Sequence, residues 1–269
     1  MPQLRDKIAV VTGGAQGLGQ AISQRLAREG CQVVIADVNE SGASSSADAI
    51  AQETGQRAIG MKVDVTQEAE VSALFDLAVR EFSRVDVVIA NAAILIAEPI
   101  IDADAEKWRA VMNVNLFGYF LTTKHACRIM KPQRAGSIIN INSKSGKKGS
   151  AANSAYAASK FGGLGHTQSV ALEMAPFNVR CNAICPGNLL DSPLWTDPQR
   201  GLFVQYLRAG KVPGAKTIDD VRRTYVEQVP MKRGCTYDDV CNAVIFLASD
   251  VSSYVTGIAL SVTGGQEMG

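Results

Sequence analysis

Ile8-Ala9-Val10-Val11-Thr12, followed at once by Gly13-Gly14-Ala15-Gln16-Gly17-Leu18-Gly19, decides how this chain folds. The first five residues are apolar or β-branched and read as a buried strand. The glycines mark a tight turn, and Gly17–Glu29 reads as the helix behind it. Strand, glycine turn and helix in succession open a βαβ unit. Glycines at such a turn let the backbone approach a pyrophosphate, and the helix start offers unpaired N–H groups and a positive dipole end. Gly13, Gln16, Gly17, Leu18 and Gly19 are therefore candidate dinucleotide contacts. Their spacing is Gly-x-x-x-Gly-x-Gly, not the Gly-x-Gly-x-x-Gly of the common fingerprint.

Outward from this point, short β-branched runs alternate with amphipathic helices, the pattern of a parallel sheet covered on both faces. Strands are expected at Ile8–Thr12, Gln32–Asp37, Arg57–Lys62, Val85–Ala90, Gly136–Ile141, Arg180–Ile184 and Ala259–Val262. Helices are expected near Gly17–Glu29, Ser41–Gln52, Glu68–Glu81, Ala105–Met130, Ala155–Ala175 and Tyr237–Leu247. Asp37 ends the second strand, 18 residues beyond Gly19. A carboxylate there accepts hydrogen bonds from a ribose diol and repels a 2′-phosphate. Val38 follows it and the glycine loop carries no Arg or Lys, so NAD is favoured over NADP. Asp64-Val65 and Asn91-Ala92-Ala93 follow the third and fourth strands and fit the same cleft, the first as an adenine contact and the second as small residues that allow close backbone approach. Locally, Asp64 reads equally as a helix N-cap and Asn91 as a turn residue.

The segment from Asp191 to Gln228 breaks the alternation, with Pro193, Pro198, Pro213 and the charged helical run Asp219–Glu227. It follows a strand's C-terminal end, where open parallel sheets bind ligands. It is expected to be a substrate-covering flap within a single domain of residues 1–269.

Tyr156 and Lys160 lie four residues apart in Ser154–Met174, a helical stretch, so they share one face. An unperturbed phenol with a pKa of about 10 is a poor base near neutrality. A nearby ammonium and a positively charged cofactor ring favour the phenolate; lowering the pKa by roughly 2–3 units takes about 3–4 kcal/mol. Alone the pair proves little, since Tyr-x-x-x-Lys also occurs as surface packing.

Composition narrows the classes. The 269 residues are 46% hydrophobic and 20% charged, as in soluble globular proteins. Lys+Arg 27 against Asp+Glu 26 gives +1, so no global field argues for nucleic acid or an anionic membrane. The apolar stretch around Val87–Ile96 contains Asn91 and is too short to span a bilayer. The N-terminus has no signal-peptide apolar region, and a cytoplasmic location is expected. The six cysteines are scattered and read as reduced thiols; no zinc set is completed around Cys181 and Cys185, and no metal is expected. His166 reads as packed or solvated rather than catalytic.

Taken together, Thr12-Gly-x-x-x-Gly-x-Gly19, Asn91-Ala92-Ala93, Asn115, Ser143, Tyr156-x-x-x-Lys160 and Pro186-Gly187 resemble the short-chain dehydrogenase/reductase family in order and spacing. Ala90-Asn91-Ala92-Ala93 stands where that family often has Asn-Asn-Ala-Gly. The resemblance implies a Rossmann-type doubly wound sheet of seven parallel strands and a homotetramer. It implies that Tyr156 is the catalytic acid/base and that Lys160 lowers its pKa and binds the nicotinamide ribose. Ser143 would hold the substrate oxygen, and Asn115 a water linking Lys160 to solvent. Pro186, Gly187 and Leu189 would form a shelf for the carboxamide end of the cofactor.

A narrower resemblance covers Ile141–Lys147, Pro186–Pro193, Val229–Cys235 and Val262–Gln266. It is to NAD-dependent dehydrogenases of phosphorylated sugar alcohols, and it leaves open an unphosphorylated polyol. Ser145 and the basic run Lys144, Lys147, Lys148 lie between Ser143 and Tyr156. Ser143, Ser145, Lys147 and Lys148 are the substrate candidates, with Lys147 or Lys148 on a phosphate or hydroxyl. A 3-oxoacyl or diketone reductase and a non-catalytic NAD-binding regulator are the competing readings. Asp37 argues against the first and the presence of Tyr156, Lys160 and Ser143 against the second.

Overall fold

In the computed structural model, which describes residues 4–268, seven parallel strands form one sheet in the order β3-β2-β1-β4-β5-β6-β7. These are β1 Ile8–Thr12, β2 Gln32–Asp37, β3 Ala58–Lys62, β4 Val87–Ala90, β5 Gly136–Ile141, β6 Val179–Pro186 and β7 Ala259–Val262. The helices are α1 Gly17–Arg28, α2 Glu40–Thr54, α3 Glu68–Phe82, α4 Ala105–Met112, α5 Gly118–Gln133, α6 Ser154–Met174, α7 Pro193–Thr196, α8 Leu202–Arg208, α9 Ile218–Glu227 and α10 Tyr237–Ala248. The fold is the Rossmann-type doubly wound sheet. The expected strand limits shift slightly: β4 begins at Val87 rather than Val85, and β6 extends to Pro186.

Side chains alternate across a strand, and here both faces are apolar. Ala9 and Val11, Val33 and Ile35, and Val87 and Ile89 pack under α1, α2 and α10, against Ile22, Leu26, Ile50 and Val244. Their neighbours Val10, Val34 and Val88 face the other way, onto Leu74 and Phe75 of α3 and Leu121 and Met130 of α5. Register keeps each layer level, with Val10 beside both Val34 and Val88.

The long helix expected at 105–130 is interrupted. Between α4 and α5 the residues Asn113–Phe117 form a π turn. The extra residue in that turn swings the buried Asn115 amide onto the backbone of Ile94, which donates to Asn115 Oδ1 at 2.9 Å and accepts from Nδ2 at 2.9 Å. π turns of this kind concentrate at functional sites. One surplus residue does not disturb an apolar periodicity enough to be seen in sequence.

The segment expected to be a flap holds α7, α8 and α9 around a small apolar cluster: Leu190, Trp195, Leu202, Phe203, Tyr206, Val221 and Tyr225. The Trp195 ring lies 4.9 Å from that of Tyr225 and 5.0 Å from that of Phe203. Arg222 of α9 pairs with Asp191. Truncating Trp195 to alanine is expected to cost about 3–5 kcal/mol, the range for a large buried aromatic. A lower urea midpoint with local loss of amide protection in 190–226 checks this; an unchanged midpoint would show that the cluster is not a core.

Candidate active site

Strand order reverses between β1 and β4, and the crevice there opens at the C-terminal ends of the strands. Its floor is tightly braced. The Thr12 hydroxyl accepts from Asn91 N at 3.1 Å and Ala92 N at 3.2 Å. Asn91 Nδ2 donates to the carbonyls of Thr12 and Gly13 at 3.0 and 2.9 Å. Asn91 therefore shapes the glycine turn. Gly13 sits at φ +67°, and a Cβ on it would lie 2.8 Å from Ala92 Cα. A Cβ on Gly19 would lie 2.0 Å from the Gly13 carbonyl oxygen. Gln16 precedes α1 without a side-chain cap, and no acidic residue occupies the first turn. The amides of Gly17, Leu18 and Gly19 are thus available to an anion. These features fit a pyrophosphate.

Asp37 at the end of β2 accepts from Ala15 N at Oδ2 and from Asn39 N at Oδ1, each at 3.0 Å. A carboxylate has lone pairs beyond these two for ribose hydroxyls. Asp64 takes the amide and hydroxyl of Thr66 at 2.9 and 2.8 Å, closing a turn. Gln67, not Asp64, occupies the N-cap of α3. Val65 is buried, and a Cβ on Gly118 would strike its Cγ2 at 2.7 Å.

Ser143, two residues past β5, hydrogen-bonds Tyr156 on α6, while Lys160 on α6 and Asn115 on the π turn line one small cavity with Thr12 and Ala92. Lys160 is buried; its Nζ donates to Ile141 O at 2.9 Å and lies 5.5 Å from the Tyr156 ring centroid. Asn142 Nδ2 donates to Lys160 O at 3.0 Å, and Asn142 Oδ1 accepts from Ser143 N at 2.8 Å, so one side chain ties β5 to α6. Ser143 Oγ accepts from Ser145 N at 3.1 Å. Asn115 Nδ2 reaches Ser159 Oγ at 3.2 Å. A cavity of about 10 Å³, on the order of one water, is lined by Asn115, Asn140, Lys160, Thr12 and Thr122 among others.

Burial pushes the Tyr156 phenol up to about 12, the Ser143 hydroxyl offsetting part of the rise. Burial also brings the Lys160 amine down to about 8. In the protein alone, desolvation, which disfavours the charged form of both groups, outweighs any stabilisation of the phenolate by the amine.

Gly187, past the end of β6, donates to Val262 O at 2.8 Å, and Asn188 O accepts from Cys235 N at 3.0 Å. This fixes the shelf Pro186–Leu189 against β7. Just beyond, the Ser192 hydroxyl is buried with no hydrogen-bond partner among the described residues. An orphaned buried hydroxyl beside the shelf fits a polar group such as a carboxamide.

The substrate candidates are placed unevenly. Ser145 is buried and Lys148 exposed. Lys147 does not face the crevice freely: its Nζ is held on β7 by Ala259 O and Ser261 Oγ, both at 2.8 Å. Two further lysines lie nearby: Lys144, whose Nζ donates to Gln266 Oε1 at 2.9 Å, and Lys211, whose Nζ lies 3.0 Å from Ser150 Oγ and which no spacing signal in the sequence links to Ser143. His166 packs edge-on against Tyr119, with ring centroids 4.9 Å apart. Among the described residues no group of three or more His, Cys, Asp or Glu side chains is arranged to hold a metal ion. No described helix is long and apolar enough to cross a membrane.

The family model for short chain dehydrogenases matches residues 7–200, and one described as enoyl-(acyl carrier protein) reductase matches residues 204–267. The chain is 42% identical to sorbitol-6-phosphate 2-dehydrogenase of Escherichia coli K12, over 98% of this chain and 99% of that one. It is 39% identical to cis-4-hydroxycyclohexanecarboxylate dehydrogenase of Sinomonas cyclohexanicum, over 97% of this chain and 96% of that one. Among solved structures, sorbitol-6-phosphate 2-dehydrogenase from Erwinia amylovora superposes with a TM-score of 0.91 at 43% identity, covering 97% of this chain and 100% of that one. An NAD+-bound xylitol dehydrogenase superposes with a TM-score of 0.90 at 30% identity, covering 98% and 100%. With the glycine turn, the Ser143, Tyr156 and Lys160 grouping and these matches in hand, the chain belongs to the short-chain dehydrogenase family of oxidoreductases.

Proposed function

We propose that this protein oxidises a secondary hydroxyl of a sugar-alcohol phosphate to the ketose phosphate with NAD, sorbitol 6-phosphate to fructose 6-phosphate being the leading case. The observation that supports the chemistry is the convergence of Ser143, Tyr156 and Lys160, with Lys160 lining the same small cavity as Thr12 at the end of β1. Full-length similarity to a sorbitol-6-phosphate 2-dehydrogenase supports the substrate class.

When bound, oxidised nicotinamide supplies the hydride acceptor and a positive charge near the phenol. Ser143 Oγ holds the substrate oxygen by a hydrogen bond and fixes the carbinol. Tyr156 takes the hydroxyl proton as the ketone forms. Lys160 orients the nicotinamide ribose, and its ammonium stabilises the phenolate once formed. Asn115 and the water-sized cavity beside Lys160 give that proton a route outward. Gly13, Gln16, Gly17, Leu18 and Gly19 hold the pyrophosphate, Asp37 the adenosine ribose, and Asp64, Val65, Asn91 and Ala92 line the adenine side. Pro186, Gly187 and Leu189 support the carboxamide. The α7–α9 segment covers the substrate.

Alcohol oxidation needs the phenolate, so kcat/KM is expected to rise with pH as Tyr156 loses its proton. With NAD+ present the apparent pKa should fall below the value of about 12 in the protein alone. A pH–rate profile with no ionisation below 11 would contradict this. Asp37→Ala is expected to raise KM for NAD about 10-fold and to narrow the preference over NADP, because the diol acceptor and the repulsive charge leave together. Paired initial-rate measurements with both cofactors check it; tighter use of NADP than NAD by the unaltered enzyme would overturn the cofactor assignment.

The substrate is tested by NADH formation across hexitols, pentitols and their phosphates. Similarity to a xylitol dehydrogenase supports a second reading, an unphosphorylated polyol, and equal rates with sorbitol and its phosphate would favour it. A homotetramer in the cytoplasm is the assembly and setting we assign. The exposure of Phe117, Phe120, Phe161 and Leu172 on the π turn, α5 and α6 supports an apolar contact with a second copy.

A further inference from the structure

Two lysines stand on a stacked tyrosine pair next to the catalytic hydroxyls. Tyr206 of α8 and Tyr225 of α9 stack with ring centroids 5.7 Å apart. Lys211 lies over the Tyr206 ring, its Nζ 3.9 Å from the centroid and 3.0 Å from Ser150 Oγ. Lys144 lies over the Tyr225 ring at 5.7 Å and donates to Gln266 Oε1 at 2.9 Å.

Both are tied to the reaction centre. Lys144 follows Ser143 in the chain. Lys211 Nζ, the Tyr206 hydroxyl and the Ser150 hydroxyl converge on the Asn153 amide, at 2.8, 2.9 and 3.2 Å when its oxygen faces these three donors. Asn153 immediately precedes α6, three residues before Tyr156.

Among the described residues neither lysine is in an ion pair; their polar partners are the neutral Gln266, Ser150 and Asn153. Glu267 acts on Lys144 from further off, while Lys148 repels it. Burial brings both amines down to about 8, and the Lys144 charge adds to the effect on Lys211. Packing of a lysine stem on a tyrosine accounts for either residue singly. It does not account for two like charges gathered in half-buried aromatic surroundings with no acidic side chain in contact with either among the described residues.

We propose that Lys144 and Lys211 form the subsite for the terminal phosphate monoester of the substrate. Two ammonium groups held by neutral acceptors match a dianion, which keeps both charged and takes direct hydrogen bonds from them. This rests on the reading that the substrate is a hexitol phosphate, and it moves the phosphate from Lys147 and Lys148 to residues on both sides of the flap boundary.

The test is the ratio of kcat/KM for sorbitol 6-phosphate to that for sorbitol, in wild type, Lys211→Met, Lys144→Met and Lys211→Arg. A ratio compares two substrates of one preparation, so partial misfolding cancels. Each methionine variant should lower the ratio about 10–100-fold, mainly through KM for the phosphate, as for loss of one charged hydrogen bond. Lys211→Arg should restore part of it. A wild-type preference for the phosphate that survives in both methionine variants would overturn the subsite and leave the substrate reading standing. No preference in wild type would remove both.

Discussion

Tyr156→Phe is expected to lower kcat by about 10²–10⁴-fold, the usual worth of a positioned acid/base. The substitution keeps the ring, over which Lys160 Nζ stands at 5.5 Å, and removes only the hydroxyl. Packing of α6 should survive, since Ala155 and Ala157 on either side are buried independently of that oxygen. Dinucleotide affinity should stay within one order of magnitude, because the glycine turn and Asp37, proposed to hold the other half of the cofactor, are remote from the phenol in sequence. Stopped-flow NADH formation and a fluorescence titration of NADH separate the two quantities. Full turnover by the phenylalanine variant would remove the phenol from the chemistry.

Gly19→Ala attacks the other half of the site. Its Cβ would sit 2.0 Å from the carbonyl oxygen of Gly13, a backbone atom that Asn91 Nδ2 already holds at 2.9 Å. Neither partner can rotate away as a flexible side chain would. The turn must shift bodily, at a cost of about 1–3 kcal/mol for overpacking. A displacement of 1 Å at such a site costs on the order of 100-fold in rate, and a comparable loss of NADH affinity is expected. Gly55→Ala is the control. Gly55 has φ +70° but nothing within 4 Å of its added Cβ, so it should lower stability by about 1–2 kcal/mol and leave NADH binding intact. Equal NADH affinity in the Gly19 variant and wild type would show that the turn does not cradle the cofactor.

Much of this was legible in the sequence because local chemistry and global fold agree. The buried strands announce themselves as apolar runs, and Thr12–Gly19 and Tyr156–Lys160 lie within single local motifs. Asp37 was legible because strand ends in a parallel sheet share one edge. What escaped is what depends on three-dimensional convergence. Thr12 braces Asn91 across 79 residues, and Lys211 meets Asn153 from a flap helix end that has no motif. The partners of Lys147 escaped for the same reason: a basic run does not reveal that β7 supplies its amine with a carbonyl and a hydroxyl. The π turn hid within a good helical pattern, and the tyrosine shift depends on solvation, which residue identity alone does not set.

That wide turn also sets a limit on insertion and deletion. A π turn holds one residue more than an α turn, so dropping any one of Asn113, Val114, Leu116 or Phe117 would let α4 and α5 fuse into one continuous α-helix with the bulge closed. The Asn115 carboxamide would then swing off Ile94 and Ser159, with every amino acid of the site still present. Length, as much as identity, is under constraint at this point in the chain.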